Sequence, residues 1–258
     1  MGSTSSHYRK DELPIARVDC NDELPIARVD CNVTKTEQVI SNNTLNKNIF
    51  NENGDTVLIY LIKNKMEDTV LLMLESIEKC HIGERNRYGG TVLIWACYNK
   101  MDTVALKLLE YPEMCNMGNV NKNGDTALTW ACYNKMDNVA LKLLEYPEMC
   151  NMGNVNKNGE TALILASSSK MENVALKLLE YPEMCDIDNV NKNGDTALTF
   201  ACSNKMENVA LKLIEYPEMC NISNKDTKNL NALNYVTKNR MNKVIVRLLE
   251  INFTKPRT

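Results

Sequence analysis

Hydrophobic and polar residues form a pattern that returns every 35 residues, from about residue 48 to the end of the chain. A turn glycine, a leucine and a methionine show the period most clearly, and Asn229 takes the glycine position in the last copy. These positions are Gly54, Gly89, Gly124, Gly159 and Gly194; Leu58, Leu93, Leu128, Leu163, Leu198 and Leu233; and Met66, Met101, Met136, Met171, Met206 and Met241. A fixed period of this length is typical of repeat proteins. The pattern therefore predicts six repeats.

Each repeat is predicted to contain two helices. In the third copy, "NKNGDT" (121–126) carries Asn-Gly, a tight-turn signal because both residues tolerate a positive φ. The Thr126 hydroxyl can cap a helix over about 127–134, with an inner edge of Leu128, Ala131 and Cys132. A second helix over about 136–146 is expected to end at Pro147. Its apolar side chains form one stripe of Met136, Val139, Ala140, Leu143 and Leu144.

Two short helices cannot bury such a stripe, whereas stacked neighbours can. The predicted fold is therefore an all-α stack of six repeats over residues 48–258. Residues 1–47 form a separate extension that contains "DELPIARVDCN" twice in tandem, at 11–21 and 22–32. This duplication is too short for a domain, and we expect the extension to be largely disordered or artificial.

The repeats resemble those of ankyrin-repeat proteins. The resemblance rests on Gly124, Thr126, Leu128, Ala131 and the Leu143-Leu144 pair, together with their counterparts in the other copies. Ala127 and Thr129 depart from the family's Pro and His, and two extra residues lengthen the loop at 145–153. The resemblance implies a solenoid of helix–turn–helix repeats with finger loops. It also implies a non-catalytic protein that binds a protein partner on its concave face.

The near-identical copies and the 35 asparagines resemble the ankyrin families of giant DNA viruses of the mimivirus type. An AT-rich genome of an intracellular bacterium or a protozoan remains an alternative source of this composition. A viral origin implies that the protein acts in the host cytoplasm.

The candidate binding residues lie where the copies differ. Trp130, Tyr133 and Asn134 stand at i, i+3 and i+4 and share one face of the first helix. In ankyrin proteins this face and the finger tips contact partners, and aromatic side chains dominate binding hot spots. The candidates on this face are Trp95, Tyr98, Asn99, Trp130, Tyr133, Asn134 and Phe200, and those on the finger tips are Arg87, Tyr88, Lys122, Asn123, Lys157 and Lys192.

Packing between repeats is the competing interpretation for the Trp130 position, which is often Leu in the family. Tyr98 and Tyr133 are the better candidates, because two other copies fill their position with Ser168 and Ser203. A position that the same scaffold fills with serine is not required for stacking.

Other functions receive little support from the sequence. The chain has two histidines and no GxGxxG, P-loop or nucleophile-elbow pattern, so we expect no enzyme and no cofactor. Of the ten cysteines, Cys97, Cys132 and Cys202 share one repeat position, Cys115, Cys150, Cys185 and Cys220 share another, and no CxxC pair occurs. Equivalent positions on stacked helices lie roughly 10 Å apart, too far for a disulfide. We therefore expect reduced, metal-free thiols.

The net charge of −3 argues against general attraction to nucleic acid. No apolar run is long enough to span a membrane, and no secretory signal is evident. We therefore expect a soluble, cytoplasmic monomer. The last copy, from Ser223, carries eight Lys or Arg against Asp226 and Glu250, a balance of +6. This charge suits a soluble cap or a basic docking patch.

Two function classes follow. The first is a non-catalytic scaffold for protein binding, and the second is a substrate adaptor for a host ubiquitin ligase or another modification machine.

Overall fold

The computed structural model describes residues 51–77 and 80–254, and side chains as far as residue 251. The extension predicted over residues 1–47 lies outside this range. Within it the regular secondary structure is entirely helical. The helices are α1 (Val57–Lys63), α2 (Glu67–Leu74), α3 (Val92–Asn99), α4 (Asp102–Leu108), α5 (Pro112–Cys115), α6 (Ala127–Asn134), α7 (Asp137–Leu143), α8 (Ala162–Ser169), α9 (Glu172–Leu178), α10 (Ala197–Ser203), α11 (Glu207–Leu213), α12 (Ala232–Asn239) and α13 (Asn242–Thr254).

Threonine caps explain where the first helix of a repeat begins. Thr126 Oγ1 accepts a hydrogen bond from the Thr129 backbone N–H at 3.1 Å. Thr129 Oγ1 in turn accepts from the Thr126 N–H at 2.8 Å, which completes a capping box. Thr129 therefore gives the helix start a second hydrogen bond where the family pattern has a histidine. Equivalent caps are Thr56, Thr91, Thr161, Thr196 and, in the last repeat, Asn231.

The apolar stripe of the second helix is buried as predicted, but the helix is shorter than predicted. α7 ends at Leu143, where about 146 was expected. Leu144 is its C-cap, and the Tyr146 N–H then bonds the Leu143 carbonyl at 3.1 Å in a turn. Pro147 lies beyond this turn and does not end the helix. The enlarged loop begins one turn earlier than the position of the proline suggests.

The predicted tight turn at Asn123-Gly124 is present, with one of its two residues at a positive φ. Only the glycine has a positive φ, of 81°, and Asn123 stays on the negative side. A Cβ at Gly124 would lie 2.8 Å from the Asn156 Cα, so glycine is required by space as well as by φ.

The chain divides into two compact units, residues up to Asn123 and residues from Gly124. In the first unit α1 packs on α3 and α2 packs on α4. In the second unit the first helices α6, α8, α10 and α12 pack side by side as one layer, and α7, α9, α11 and α13 form the other. The described residues thus contain the six predicted helix pairs. Their arrangement as one continuous stack stays a prediction.

Seven of the eight described cysteines are buried, and all eight are free thiols. Burial raises the pKa of Cys150 to about 11 and those of Cys115, Cys185 and Cys202 to about 12. Thiolate formation is therefore suppressed, and these side chains behave as small apolar groups. Cys20 and Cys31 lie outside the described residues.

Across residues 51–77 and 80–254, no helix combines the length and the hydrophobicity that crossing a membrane requires.

Candidate protein-binding surface

The first helix of the third repeat places its two aromatic rings at different depths. Trp130 is 4% exposed, whereas Tyr133 is partly exposed. Their ring centroids are 5.6 Å apart and the rings meet edge to face at 89°. Such a pair contributes about 0.5–1.5 kcal/mol beyond its buried area. Tyr133 thus combines a packing contact with Trp130 and partial exposure to solvent.

The prediction that Trp130 and Asn134 are presented to solvent is wrong. Trp130 is buried, and so is Leu165 at the same position of the next repeat, so these two side chains belong to the packing. Asn134 is 7% exposed. Its counterpart Asn239 donates from Nδ2 to the Cys202 and Ser203 carbonyls, at 2.8 and 3.1 Å. In the last two repeats, Asn204 and Asn239 at this position therefore tie the ends of consecutive first helices together.

The remaining first-helix candidates are more accessible. Tyr98 and Phe200 are partly exposed, and Tyr98 meets Trp95 edge to face at 5.4 Å. Asn99 is also partly exposed, but its Nδ2 donates to the Trp95 carbonyl of its own helix at 3.1 Å. Tyr98, Tyr133 and Phe200 are therefore the aromatic side chains of this set that can contact a partner without unfolding a repeat.

Trp95 lies under a cation of its own chain. Lys63 Nζ is 5.0 Å from the Trp95 ring centroid and 5.9 Å from that of Tyr88. The same ammonium forms a 2.8 Å ion pair with the buried carboxylate of Asp55. Tyr88 in turn donates its hydroxyl to Asn53 Oδ1 at 3.3 Å. The faces of the Trp95 and Tyr88 rings are thus partly covered within the first unit, because the Lys63 ammonium lies over them.

Gly90 explains the position of the Trp95 ring. Four of the other five copies have an acidic residue at this position, Asp55, Asp125, Glu160 or Asp195, and the last copy has Leu230. A Cβ at Gly90 would lie 2.5 Å from Trp95 Nε1, so the indole occupies the space that an acidic side chain fills elsewhere. Trp95 Nε1 is buried and has no hydrogen-bond partner among the described residues.

An asparagine, or Asp226 in the last repeat, shapes each finger, and the buried Asn156 shows how. Its Oδ1 accepts from the backbone N–H groups of Asn158 and Glu160, at 2.9 and 3.0 Å. Its Nδ2 donates to Asp125 at 3.0 Å and to Glu160 at 3.3 Å. The finger is therefore held from the inside, and its outward side chains take no part in these bonds.

The predicted finger-tip residues are accessible. Arg87, Lys122, Lys157 and Lys192 are exposed, and Asn123 is partly exposed. Neighbouring fingers are joined through the backbone, since the Lys192 N–H bonds the Asn158 carbonyl at 2.9 Å. The lysine side chains of the second unit are thus displayed from a bonded row of loops.

The carboxylates near the fingers point inward. Asp125 and Glu160 are 1% and 3% exposed. Burial raises the pKa of Glu160; the Asn156 bond opposes this, and the charges of Asp125 and Asp195 add to it. In the last repeat Asp226 accepts the Tyr235 hydroxyl at 2.5 Å. Burial, this bond and the Asp226 charge together raise the pKa of Tyr235.

Lysines on the second helices have a different environment. Lys142, Lys177 and Lys212 form ion pairs of 2.5–2.6 Å with Glu145, Glu180 and Glu215. Each ammonium also lies 5.7–6.0 Å from the centroid of a tyrosine ring. This face therefore carries paired charges.

Sequence reasoning missed two parts of the surface. Lys63 lies at the same repeat position as Tyr98 and Tyr133, and its ammonium contacts the Trp95 ring. This contact could be predicted only from the exceptional Gly90, which leaves room for the ring where other copies have an acidic side chain. The bond from Asn156 to Asp125 joins residues 31 apart. The recurring Asn-x-x-x-Asp/Glu spacing was the signal that could have revealed it.

The fold and the surface define a class of helical repeat proteins whose paired helices alternate with extended finger loops. The fold is the ankyrin-repeat fold. A family model described as ankyrin repeats, in three copies, matches residues 105–189. No curated protein sequence matches the chain.

Solved structures of the same fold cover most of the chain. The ankyrin repeat domain of Bcl-3, a member of the IkappaB protein family, is 21% identical, with a TM-score of 0.54 over 84% of this chain and 91% of that one. The ankyrin repeat protein EF0377 is 20% identical, with a TM-score of 0.55 over 75% of this chain and 96% of that one.

A further similar structure is that of the predatory endopeptidase Bd0816 from Bdellovibrio bacteriovorus in complex with the immunity protein Bd3460. The matching chain is 20% identical, with a TM-score of 0.55, and the match covers 76% of this chain and 98% of that one. Similarity at these identities shows the fold.

Proposed function

We propose that this protein is a non-catalytic scaffold that binds a protein partner through the first-helix face and the fingers of its repeats. One observation carries the proposal: on nearly identical backbones, Tyr133 is partly exposed where the next repeat has Ser168. The scaffold does not need a ring there. A tyrosine with one face in solvent is a typical binding anchor.

Two further observations support the proposal. Repeat surfaces recognise partners by extended contact, and one structure of the same fold is a complex between two proteins.

The finer parts of the function are proposals with narrower support. Action as a monomer in the cytoplasm, and in host cytoplasm if the source is a virus, is supported by composition and by the resemblance to mimivirus-type ankyrin families. An adaptor role is the second candidate, and the partner's identity decides between the two.

The test is an affinity purification with the full chain as bait, followed by identification of bound proteins by mass spectrometry. The Tyr98→Ser/Tyr133→Ser double variant serves as the matched bait. We expect a protein that the parent retains and the variant loses. If that protein is a ubiquitin-ligase subunit, the adaptor role is favoured. Equal recovery by both baits would contradict the assigned surface.

A further inference from the structure

In the fingers of the second unit, exposed and buried residues alternate along the chain. Val155 and Val190 are 42% and 36% exposed, and the lysines two residues later are exposed as well. The asparagines between them, Asn156 and Asn191, are buried. This alternation is that of an extended segment, in which residues i and i+2 share a side. Each of the two fingers therefore shows one valine and one lysine to the outside.

The next finger continues the cationic side. Lys225 and Lys228 are exposed on either side of the buried Asp226, and Thr227 takes the lysine position. We call Val155, Lys157, Val190, Lys192 and Lys225 the finger row. No ion pair within residues 51–77 and 80–254 involves its three lysines. On the second helices, Lys142 and Lys177 are each neutralised by a glutamate.

The nearest carboxylates leave this row positive. Asp125, Glu160 and Asp226 are buried and hydrogen-bonded inside the fingers. In the fifth-repeat finger Asp188 is exposed and Asp195 is half-buried, whereas four lysines of the fingers are exposed: Lys157, Lys192, Lys225 and Lys228. An incoming anion therefore meets more ammonium groups than carboxylates on this side.

We propose that the finger row docks an extended, acidic protein segment. This inference rests on the proposed function and specifies the chemistry of its partner. Adjacent packed repeats lie about 10 Å apart, and an extended chain rises about 3.3 Å per residue. Acidic side chains at every third residue therefore match lysines on successive fingers, and the valines accept apolar side chains between them.

A nucleic acid fits the row less well. Duplex DNA carries one charge per about 1.7 Å of axis, far denser than one lysine per repeat. Strand binding also relies on aromatic rings that stack on bases. The finger tips of the second unit carry Asn158, Asn193 and Lys228 at the position where the first unit has Tyr88.

The experiment measures fluorescence anisotropy of labelled synthetic peptides titrated with the full chain. The probe repeats Asp-Val-Ser, and its controls have the same composition with the aspartates clustered, or Asn in place of Asp. A single-stranded oligonucleotide of mixed sequence is a fourth probe. We expect the repeating acidic peptide to bind most tightly, with an affinity that falls as salt is raised.

The decisive variants are Lys157→Glu/Lys192→Glu and the matched control Lys142→Glu/Lys177→Glu, which changes the net charge by the same amount. We expect the finger variant to weaken peptide binding by about tenfold or more and the control to change it by less than about twofold. Equal losses in the two variants, or tighter binding of the oligonucleotide, would overturn the proposal.

The outcome also separates this inference from the proposed function. If a purified partner binds the Lys157→Glu/Lys192→Glu variant as well as it binds the parent, the finger row is wrong while the scaffold function stands. If no protein partner is retained by the parent bait, the scaffold function itself fails.

Discussion

The third and fourth repeats are neighbours with the same backbone plan, yet their first helices differ at five of eight positions. Trp130 and Leu165 are both buried, and both are apolar. Tyr133 and Ser168 are both partly exposed, and they differ in size and chemistry. The buried position preserves hydrophobicity, whereas the exposed position is free to change. A difference between copies therefore indicates a candidate binding position only when the side chain is exposed.

Two buried positions are exceptions in this comparison: Thr129 is replaced by Ile164, and Cys132 by Ser167. Cys132 and Ser167 are fully buried, but one is a thiol and the other a hydroxyl. Ser167 Oγ has no hydrogen-bond partner among the described residues. The fourth repeat therefore buries a hydroxyl whose loss of hydration is not compensated by a hydrogen bond to any described residue.

The largest expected effect concerns the tryptophan. Trp130→Ala should lower the free energy of unfolding by about 3–5 kcal/mol, because it removes a large buried side chain. Trp130→Leu, which copies the fourth repeat, should cost clearly less. Chemical denaturation of both variants checks this order. A Trp130→Ala variant as stable as the parent would contradict the packing role of this side chain and favour a role in binding.

Leu144 and Leu249 occupy the same repeat position in an interior and a terminal copy. Leu144 is fully buried and Leu249 is 40% exposed. Leu144→Ala should destabilise by about 2–5 kcal/mol, and Leu249→Ala by well under half as much. Denaturation midpoints with unchanged slopes provide the measurement. Similar losses at both sites would show that position in the stack does not set the cost.

Ser167→Cys should stabilise the protein by about 1 kcal/mol, since it replaces an unpartnered buried hydroxyl with the thiol that the third repeat uses. Cys132→Ser is the matched reverse change and should destabilise by a similar amount. Thermal melts under reducing conditions test the pair. A loss of stability in Ser167→Cys would mean that the hydroxyl has a partner in solution.

The smallest effect is expected at Glu160, whose pKa is raised in the folded state. A carboxyl with a raised folded pKa favours folding at low pH, and this contribution is lost as pH rises through the folded value. Glu160→Gln should therefore be more stable than the parent at neutral pH. The difference should shrink as the pH falls from neutral toward the ordinary glutamate pKa of about 4.3. Urea unfolding at neutral and at acidic pH checks the sign, and a variant destabilised at neutral pH contradicts it.

The 35-residue period predicted much of the fold. Met136, Val139 and Leu144 are buried as the stripe predicted, and Thr126 caps its helix. Helix ends were less predictable, because the turn after Leu143 depends on backbone bonds that the sequence pattern does not encode.

The candidate surface was predictable only in part. Spacing placed Trp130 and Tyr133 on one side of a helix, but helical periodicity cannot tell how far a neighbouring element covers that side. The cover over Trp95 depends on the contact with Lys63, 32 positions earlier in the sequence. The outward lysines and inward carboxylates of the fingers likewise follow from bonds between repeats, such as that of Asn156 to Asp125.

The central claim is that the partly exposed aromatic side chains of the first-helix face bind the partner and can be changed without loss of the fold. Tyr133→Ser and Tyr146→Ser test it directly, because Tyr146 is also partly exposed but lies beside Lys142 after the second helix. Each variant should lose about 1 kcal/mol of stability or less. Binding of the purified partner should weaken by about 2 kcal/mol, roughly thirtyfold, in Tyr133→Ser and stay unchanged in Tyr146→Ser. A large drop in melting temperature for Tyr133→Ser, with partner affinity unchanged, would contradict the account.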